Sequence, residues 1–318
     1  MKRIFELNYG NIMNISKRDL LESIKLSEGR AVMAETDVAK PPIIYGVSNP
    51  ELAAAFGADM ITLNLFDFDA PFIFGIDDIE LNISGAKDLI YRVEEIDKKI
   101  RQNRLDKDYI RNAKSIIGRV LGVNLEPVPE GINYPEGRKL TEGNLVKTKE
   151  FGFDYVVITG NPKTGITNQT ILNGIDMAAR ILGDDVIIIA GKMHGAGSGN
   201  IYDPQVLRDF SNAGADIVMI SAPGTIPGMD FELSRRQIEA IHETGKLALT
   251  AIGTSQEGSS RHVVEQIALM SKMAGADVQH IGDACYGGIA LPENIMALSI
   301  AIRGKRHTYR RMGYSLRK

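Results

Sequence analysis

The tetrapeptide AGAD occurs at Ala213–Asp216 and again at Ala274–Asp277, and FGAD stands at Phe56–Asp59. Each copy leads straight into an apolar run: MITLNLF from Met60, IVMISAPG from Ile217 and VQHIGDACYGG from Val278. A strand buried on both faces reads as a continuous apolar run, not an alternating one. The chain holds eight such runs: RAVMAE (30–35), DMITLNL (59–65), IIGRVLGVNLE (116–126), DYVVITG (154–160), DVIIIAG (185–191), DIVMIS (216–221), LALTAIG (247–253) and DVQHIG (277–282).

Segments of helical character separate them. They are PELAAAFG (50–57), a charged stretch around 86–115, TEGNLVKTKEFG (141–152), NQTILNGIDMAARILG (168–183), DPQVLRDFSNAG (203–214), LSRRQIEAIHETG (233–245) and SRHVVEQIALMSKMAG (260–275), with PENIMALSIAIRG (292–304) after the last run. Several end in Gly, which accepts the left-handed conformation past a helix C-terminus. Pro50, Pro204 and Pro292 suit first-turn positions, where a missing N–H is harmless. The AGAD phrase is therefore a joint. Small residues let a helix end approach the sheet, Gly turns the chain, and Asp opens the next parallel strand. Eight strand–helix units predict an α/β fold, a closed (β/α)₈ TIM barrel, with its core at about 30–304 in a single domain spanning 1–318. A doubly wound sheet is the alternative, but no GxGxxG follows the first run. SKRDLLESIKLSEG (16–29) reads as an N-terminal helix capping the barrel bottom, and FDFDAPFIFGIDDIELNISG (66–85) as a long top-rim loop serving as a lid or an interface.

Composition narrows the function classes. The net charge of −3 gives no general case for nucleic acid or membrane binding. The last 16 residues, RGKRHTYRRMGYSLRK, hold seven of the 37 basic residues and no acid, so the rest carries 30 basic against 40 acidic residues. A basic C-terminal extension (305–318) docking on an acidic surface of its own or a neighbouring subunit follows, and with it a homo-oligomer. No basic stripe or aromatic stacking surface accompanies the tail, so nucleic acid is not the expected partner. The single cysteine, Cys285, allows no internal disulfide and suits a reducing cytoplasm. No run approaches the roughly 20 apolar residues that cross a bilayer.

Barrel chemistry sits where the C-terminal strand ends share one mouth. In strand order those ends supply Glu35 and Asp37; Asn64, Asp67 and Asp69; Asn124 and Glu126; Thr159, Asn161, Lys163 and Thr164; Lys192 and His194; Ser221 and Thr225; Thr254, Ser255, Gln256 and Glu257; His280, Asp283, Cys285 and Tyr286. The loop AGKMHGAGSGN (190–200) is the richest. Lys192 and His194 are two apart, so a continuing strand points both the same way. Glycines at 191, 195, 197 and 199 leave the loop able to wrap an anion. Lys192, His194, Glu35 and Glu126 are the catalytic candidates: a lysine to polarise a carbonyl, a histidine to move a proton, and a carboxylate as second acid or base. Asn64, Asn161, Thr164, Gly165, Thr254, Gly287 and Gly288 are the substrate-binding candidates, the last three because the loops after strands seven and eight often seat a phosphate. Glu35, Asp67, Asp69 and Glu126, from three adjacent strands, are the candidate ligands for Mg²⁺, the one cofactor considered.

The run from Arg30 to Gly304, with its AGAD joints, resembles the superfamily of phosphate-binding (β/α)₈ barrels, and DYVVITGNPKTG (154–165) resembles the corresponding strand and loop of BtpA-type barrel proteins. The first resemblance implies a small phosphorylated, hence anionic, substrate. The expected function is that of a lyase or isomerase acting on a small carbonyl compound. A metal-dependent hydrolase and a non-catalytic assembly or regulatory barrel are the alternatives.

Overall fold

Eight parallel strands close on themselves in the order β1 to β8, with β8 hydrogen-bonded back to β1. The computed structural model describes residues 1–78, 85–161, 164–194, 200 and 202–314. The strands are β1 (Ala31–Asp37), β2 (Met60–Asn64), β3 (Val120–Leu125), β4 (Tyr155–Ile158), β5 (Ile187–Gly191), β6 (Ile217–Ser221), β7 (Leu247–Ile252) and β8 (Val278–Ile281). The helices are α1 (Tyr9–Ile12), α2 (Lys17–Lys25), α3 (Asn49–Ala55), α4 (Ala86–Leu105), α5 (Tyr109–Ile117), α6 (Glu142–Glu150), α7 (Asn168–Leu182), α8 (Pro204–Asn212), α9 (Phe231–His242), α10 (Arg261–Ala274) and α11 (Pro292–Tyr314). The expected (β/α)₈ barrel is the observed fold.

Two expected boundaries shift for a physical reason. Ile116 and Ile117 do not open the third strand; Ile117 ends α5, where Gly118 (φ 71°) turns the chain. The charged stretch around 86–115 is two helices, because the segment Asp106–Asp108 breaks it.

The repeated Asp has a defined task. The Asp59 N–H donates to Val32 O at 2.8 Å, and the Asp59 carboxylate accepts the Val32 N–H at 2.9 Å. The same two-way clasp joins Asp154 to Leu121, Asp216 to Ile188 and Asp277 to Ala248. Each Asp thus satisfies a backbone N–H at the bottom of the preceding strand, a group that is costly to bury unpaired. A basic side chain answers each carboxylate: Arg303 and Arg311 for Asp59, Lys114 for Asp154, Lys17 for Asp216, and for Asp277 the His242 imidazole, charged when protonated.

Strand alternation divides the apolar residues into two layers. Val32, Ile61, Leu121, Val156, Ile188, Val218 and Ala248 face the surrounding helices. Met33, Met60, Val120, Tyr155, Ile189, Met219, Leu249 and Val278 fill the barrel interior, and Ile4, Phe5, Ile12, Leu20 and Ile24 of the N-terminal segment close it from below. Gly122 permits this filling, since a Cβ there would overlap the Tyr155 ring.

The described part of the basic C-terminal extension docks on its own chain, as one of the expected alternatives had it. α11 kinks at Gly304 (φ 76°) and continues to Tyr314 against its own chain. Arg311, fully buried, reaches Asp59 at 2.8 Å and donates to Leu7 O at 2.6 Å. Arg303 reaches the same carboxylate at 2.5 Å. Among the described residues, no helix is long and apolar enough to cross a membrane.

Candidate active site

The inward parity of β1, β2 and β3 sends Glu35, Asn64 and Asn124 to the top of the barrel interior, one above each apolar stack. There they form a chain with Asp283, which lies just past β8. Asn124 Nδ2 donates to Glu35 Oε1 and, at 3.0 Å, to Asn64 Oδ1. Asn64 Nδ2 donates to Asp283 Oδ2 at 2.9 Å. The Asn64 amide has one sensible orientation, because its Oδ1 also accepts the Leu65 N–H at 2.9 Å. Leu65 adopts a left-handed φ of 59° to make that contact. Such a conformation costs a bulky residue on the order of 1–3 kcal/mol, a strain that clusters at functional sites.

These residues line a cavity of about 180 Å³ together with Thr159, Gly160, Asn161, Met193, His194, Gly253, Glu257, Gly282 and Ala284. Pockets for drug-sized ligands run to roughly 300–1,000 Å³, so this one suits a smaller compound. Larger concavities exist, but they lie elsewhere, one of them along α2 at the barrel bottom. The mouth gathers convergent carboxyl and amide groups at the strand ends, where barrel chemistry sits.

The electrostatics are acidic. Glu35, Glu257 and Asp283 line the cavity, and no lysine or arginine does so among the described residues. Burial, and after it the neighbouring Glu35 charge, push the Asp283 carboxyl up to about 8. Burial also raises Glu257 and lowers His194, which favours a neutral imidazole. His280, fully buried on β8, places Nε2 at 3.4 Å from Glu35 Oε2.

The sequence-derived candidates divide. Glu35, Asn64, Asn161 and His194 meet at the cavity. Glu126 does not line it. Its carboxylate is taken by the Tyr134 hydroxyl at 2.8 Å and by the amide of Asn161, so it positions Asn161. Lys192 lines a separate narrow cavity with Asn168, Val206, Leu207 and Phe210, between β5, β6 and α8. The strand parity explains this correction to the shared-mouth expectation: Ile187 and Ile189 face inward, so Lys192 falls with Ile188 and Ala190 on the outer side. His194 escapes that parity because β5 ends at Gly191, whose φ of 152° and close approach to Met219 O admit no side chain. Burial lowers the Lys192 pKa in its own pocket.

Thr164 turns its hydroxyl to Asn161 O at 2.7 Å, and Gly165 packs near Pro129. Thr254 donates to Thr225 O at 2.7 Å. Gly287 and Gly288 pack on Ile43 and Asp37 of the first loop, away from the cavity lining. Between the last two loops, Glu257 Oε1 accepts the Ala284 N–H at 3.0 Å. Nor do Glu35, Asp67, Asp69 and Glu126 form the expected metal cluster. Asp67 faces Arg138 at 4.0 Å and Asp69 faces Lys147 at 3.3 Å, and among the described residues no three acidic, His or Cys side chains are grouped to hold a metal ion. Lys163 and the glycines at 195, 197 and 199 lie outside the described residues, as does part of the 66–85 loop.

Asp283, Asn124 and Glu257 stood among the strand-end residues read from the sequence, but not among its catalytic or substrate-binding candidates. For Asn124 a signal existed, since it shares inward parity with Val120 and Gly122. For Asp283 and Glu257, both beyond their strand ends, no sequence period applies.

The geometry and the comparisons with known proteins define the class: a closed (β/α)₈ barrel with a polar site at its C-terminal mouth. The chain belongs to the family described as "Domain of unknown function (DUF7916)", which it matches over residues 5–318. No curated protein matches it in sequence. Among solved structures it is similar to the carboxyl transferase domain (Y628A) of Rhizobium etli pyruvate carboxylase with pyruvate, at 13% identity and a TM-score of 0.50, covering 93% of this chain and 53% of that one. It is also similar to 2,3-dimethylmalate lyase, described as a PEP mutase/isocitrate lyase superfamily member, at 15% identity and a TM-score of 0.48, covering 86% and 81%. A third is thiamine phosphate pyrophosphorylase from Pyrococcus furiosus, at 13% identity and a TM-score of 0.43, covering 87% and 97%. At these identities the likeness is one of fold.

Proposed function

We propose that the barrel mouth is a general acid–base centre that moves a proton on a small carbonyl compound, in a reaction of isomerase or lyase type. The observation that carries this reading is the chain Glu35–Asn124–Asn64–Asp283, which links two carboxyl groups through two amides at one cavity. Two titratable groups whose surroundings differ mark the acid and the base. Asp283, held up to about 8, keeps a proton to donate to the carbonyl oxygen. Glu35, accepting from Asn124, takes a proton from the carbon beside that carbonyl. His194, favoured neutral, stands on the cavity wall as a relay to solvent. Positioned acid–base groups of this kind contribute about 10²–10⁴ in rate. In this reading Asp283 performs the carbonyl polarisation first assigned to Lys192, and a substrate phosphate is not required.

The test is deuterium exchange. The protein is incubated in D₂O with a panel of small hydroxy ketones, amino ketones and 2-oxo acids, and proton NMR follows the carbon next to the carbonyl. Exchange that disappears in both Asp283→Asn and Glu35→Gln supports the reading. Exchange that survives both substitutions, or no exchange with any of the panel, sinks it.

A further inference from the structure

Glu257 is fully buried in the short turn Gln256–Gly258 after β7, yet it lines the cavity at the mouth. Oε1 takes the Ala284 N–H at 3.0 Å, while Oε2 has no hydrogen-bond partner among the described residues. His280, equally buried on β8, has no hydrogen bond at either ring nitrogen among the described residues, its Nε2 standing 3.4 Å from Glu35 Oε2. A buried carboxylate oxygen without a donor costs free energy that a bound donor restores. The Glu35 carboxylate shares the cavity, and no described lysine or arginine lines it to answer the charge. An anion would add to that negative field, and an apolar guest would leave Glu257 unpaired. A compact cation with several N–H donors meets both needs, since charge-assisted hydrogen bonds to carboxylates are the stronger kind.

We infer that the occupant of the mouth carries a primary ammonium group, seated on Glu257 Oε2, on a small chain that also bears a hydroxyl or carbonyl group. The inference rests on the acid–base reading for the carbonyl half, which faces Asp283 and Glu35. The ammonium half stands on Glu257 alone. The cavity of about 180 Å³ holds the amine to a few carbon atoms.

Matched probes test it on the full chain: 1-amino-2-propanol against 1,2-propanediol, with acetate and inorganic phosphate as anionic arms, read by saturation-transfer NMR and calorimetry. The expected result is that the amine binds about tenfold or more tighter than the diol and that neither anion competes, as a charged donor facing a buried carboxylate implies. Glu257→Gln keeps an oxygen for Ala284 and removes the charge, so the amine's preference falls to within about twofold, a difference well under 1.4 kcal/mol. Equal binding of amine and diol, absence of amine binding, or displacement by acetate or phosphate overturns the inference. The wild-type comparison decides it even where Glu257→Gln fails to fold. The two readings fail separately. Deuterium exchange confined to compounds lacking an amine overturns this inference and spares the acid–base centre. Amine selectivity without exchange does the reverse.

Discussion

Asn64 on β2 donates to Asp283 beyond β8, Nδ2 to Oδ2, at 2.9 Å. β1 runs between their two strands, so the bond passes over the strand that carries Glu35. Two neutral amides, Asn64 and Asn124, therefore hold the two carboxyl groups in one network. The Leu65 N–H fixes the amide's orientation from behind.

Asp283→Asn separates stability from function. The folded pKa of Asp283 is raised from 3.8 to about 8. Between those values the folded chain holds a proton that the unfolded chain releases, so the wild type loses stability as pH rises through this window. The loss is absent below the unfolded value and complete above the folded one. Asparagine mimics the protonated acid. The variant is expected to melt higher than wild type at pH 9 and close to it at pH 4, while deuterium exchange disappears. Parallel melting curves across this range would contradict the raised pKa.

Asp59→Asn leaves the clasp on Val32 an acceptor but strips Arg303 and Arg311 of their carboxylate. Both arginines are buried, and removing one partner of a buried ion pair costs about 3–5 kcal/mol. Urea unfolding is expected to show a loss of that order. A loss below about 1 kcal/mol, the range of exposed pairs, would show that water reaches the cluster.

Gly122→Ala places a methyl group in the volume of the Tyr155 ring. Overpacking of this kind costs about 1–3 kcal/mol or more. Tyr155→Leu opens the space and also removes the Thr62 hydroxyl contact at 3.0 Å. A double-mutant cycle is expected to give a favourable coupling for the pair. Strict additivity would mean that the ring does not cross the barrel at Gly122.

His242 lends a pH-dependent contribution at the barrel bottom. Its hydrogen bond to Asp277, at 2.8 Å, raises its pKa above the ordinary 6.5. The stabilisation is fully present below the unfolded value and is lost as pH rises through the higher folded value. Because the histidine is partly exposed, the effect is small. His242→Gln is expected to lower stability at pH 5.5 and leave it nearly unchanged at pH 9. A larger loss at pH 9 would reverse the assignment.

The fold was legible because burial on both faces writes itself into composition. A run such as DVIIIAG admits few other states, and the Asp before a strand marks where that strand begins. Part of the site was legible for the same reason: Glu35, Asn64 and Asn124 lie on the inward parity of their strands. The reading failed at Lys192, whose parity with Ile188 and Ala190 sends it outward, and it coupled Lys192 to His194 by carrying the period of two past the end of β5 at Gly191. It failed again at Gly287 and Gly288, which meet the first loop, a contact between residues some 240 positions apart that no local pattern encodes.

The amino-acid sequence by itself determined the eight strands, their parallel order and the joints between them, because each depends on local periodicity and on turn residues. Only the tertiary structure decided that Asp283 joins Asn64, that Glu257 takes the Ala284 N–H, that Glu126 serves Asn161, and that Arg311 turns back to Asp59. Those outcomes depend on distances across a closed barrel. Closure brings β8 against β1, and with it a carboxyl group from the end of the chain against one from its beginning.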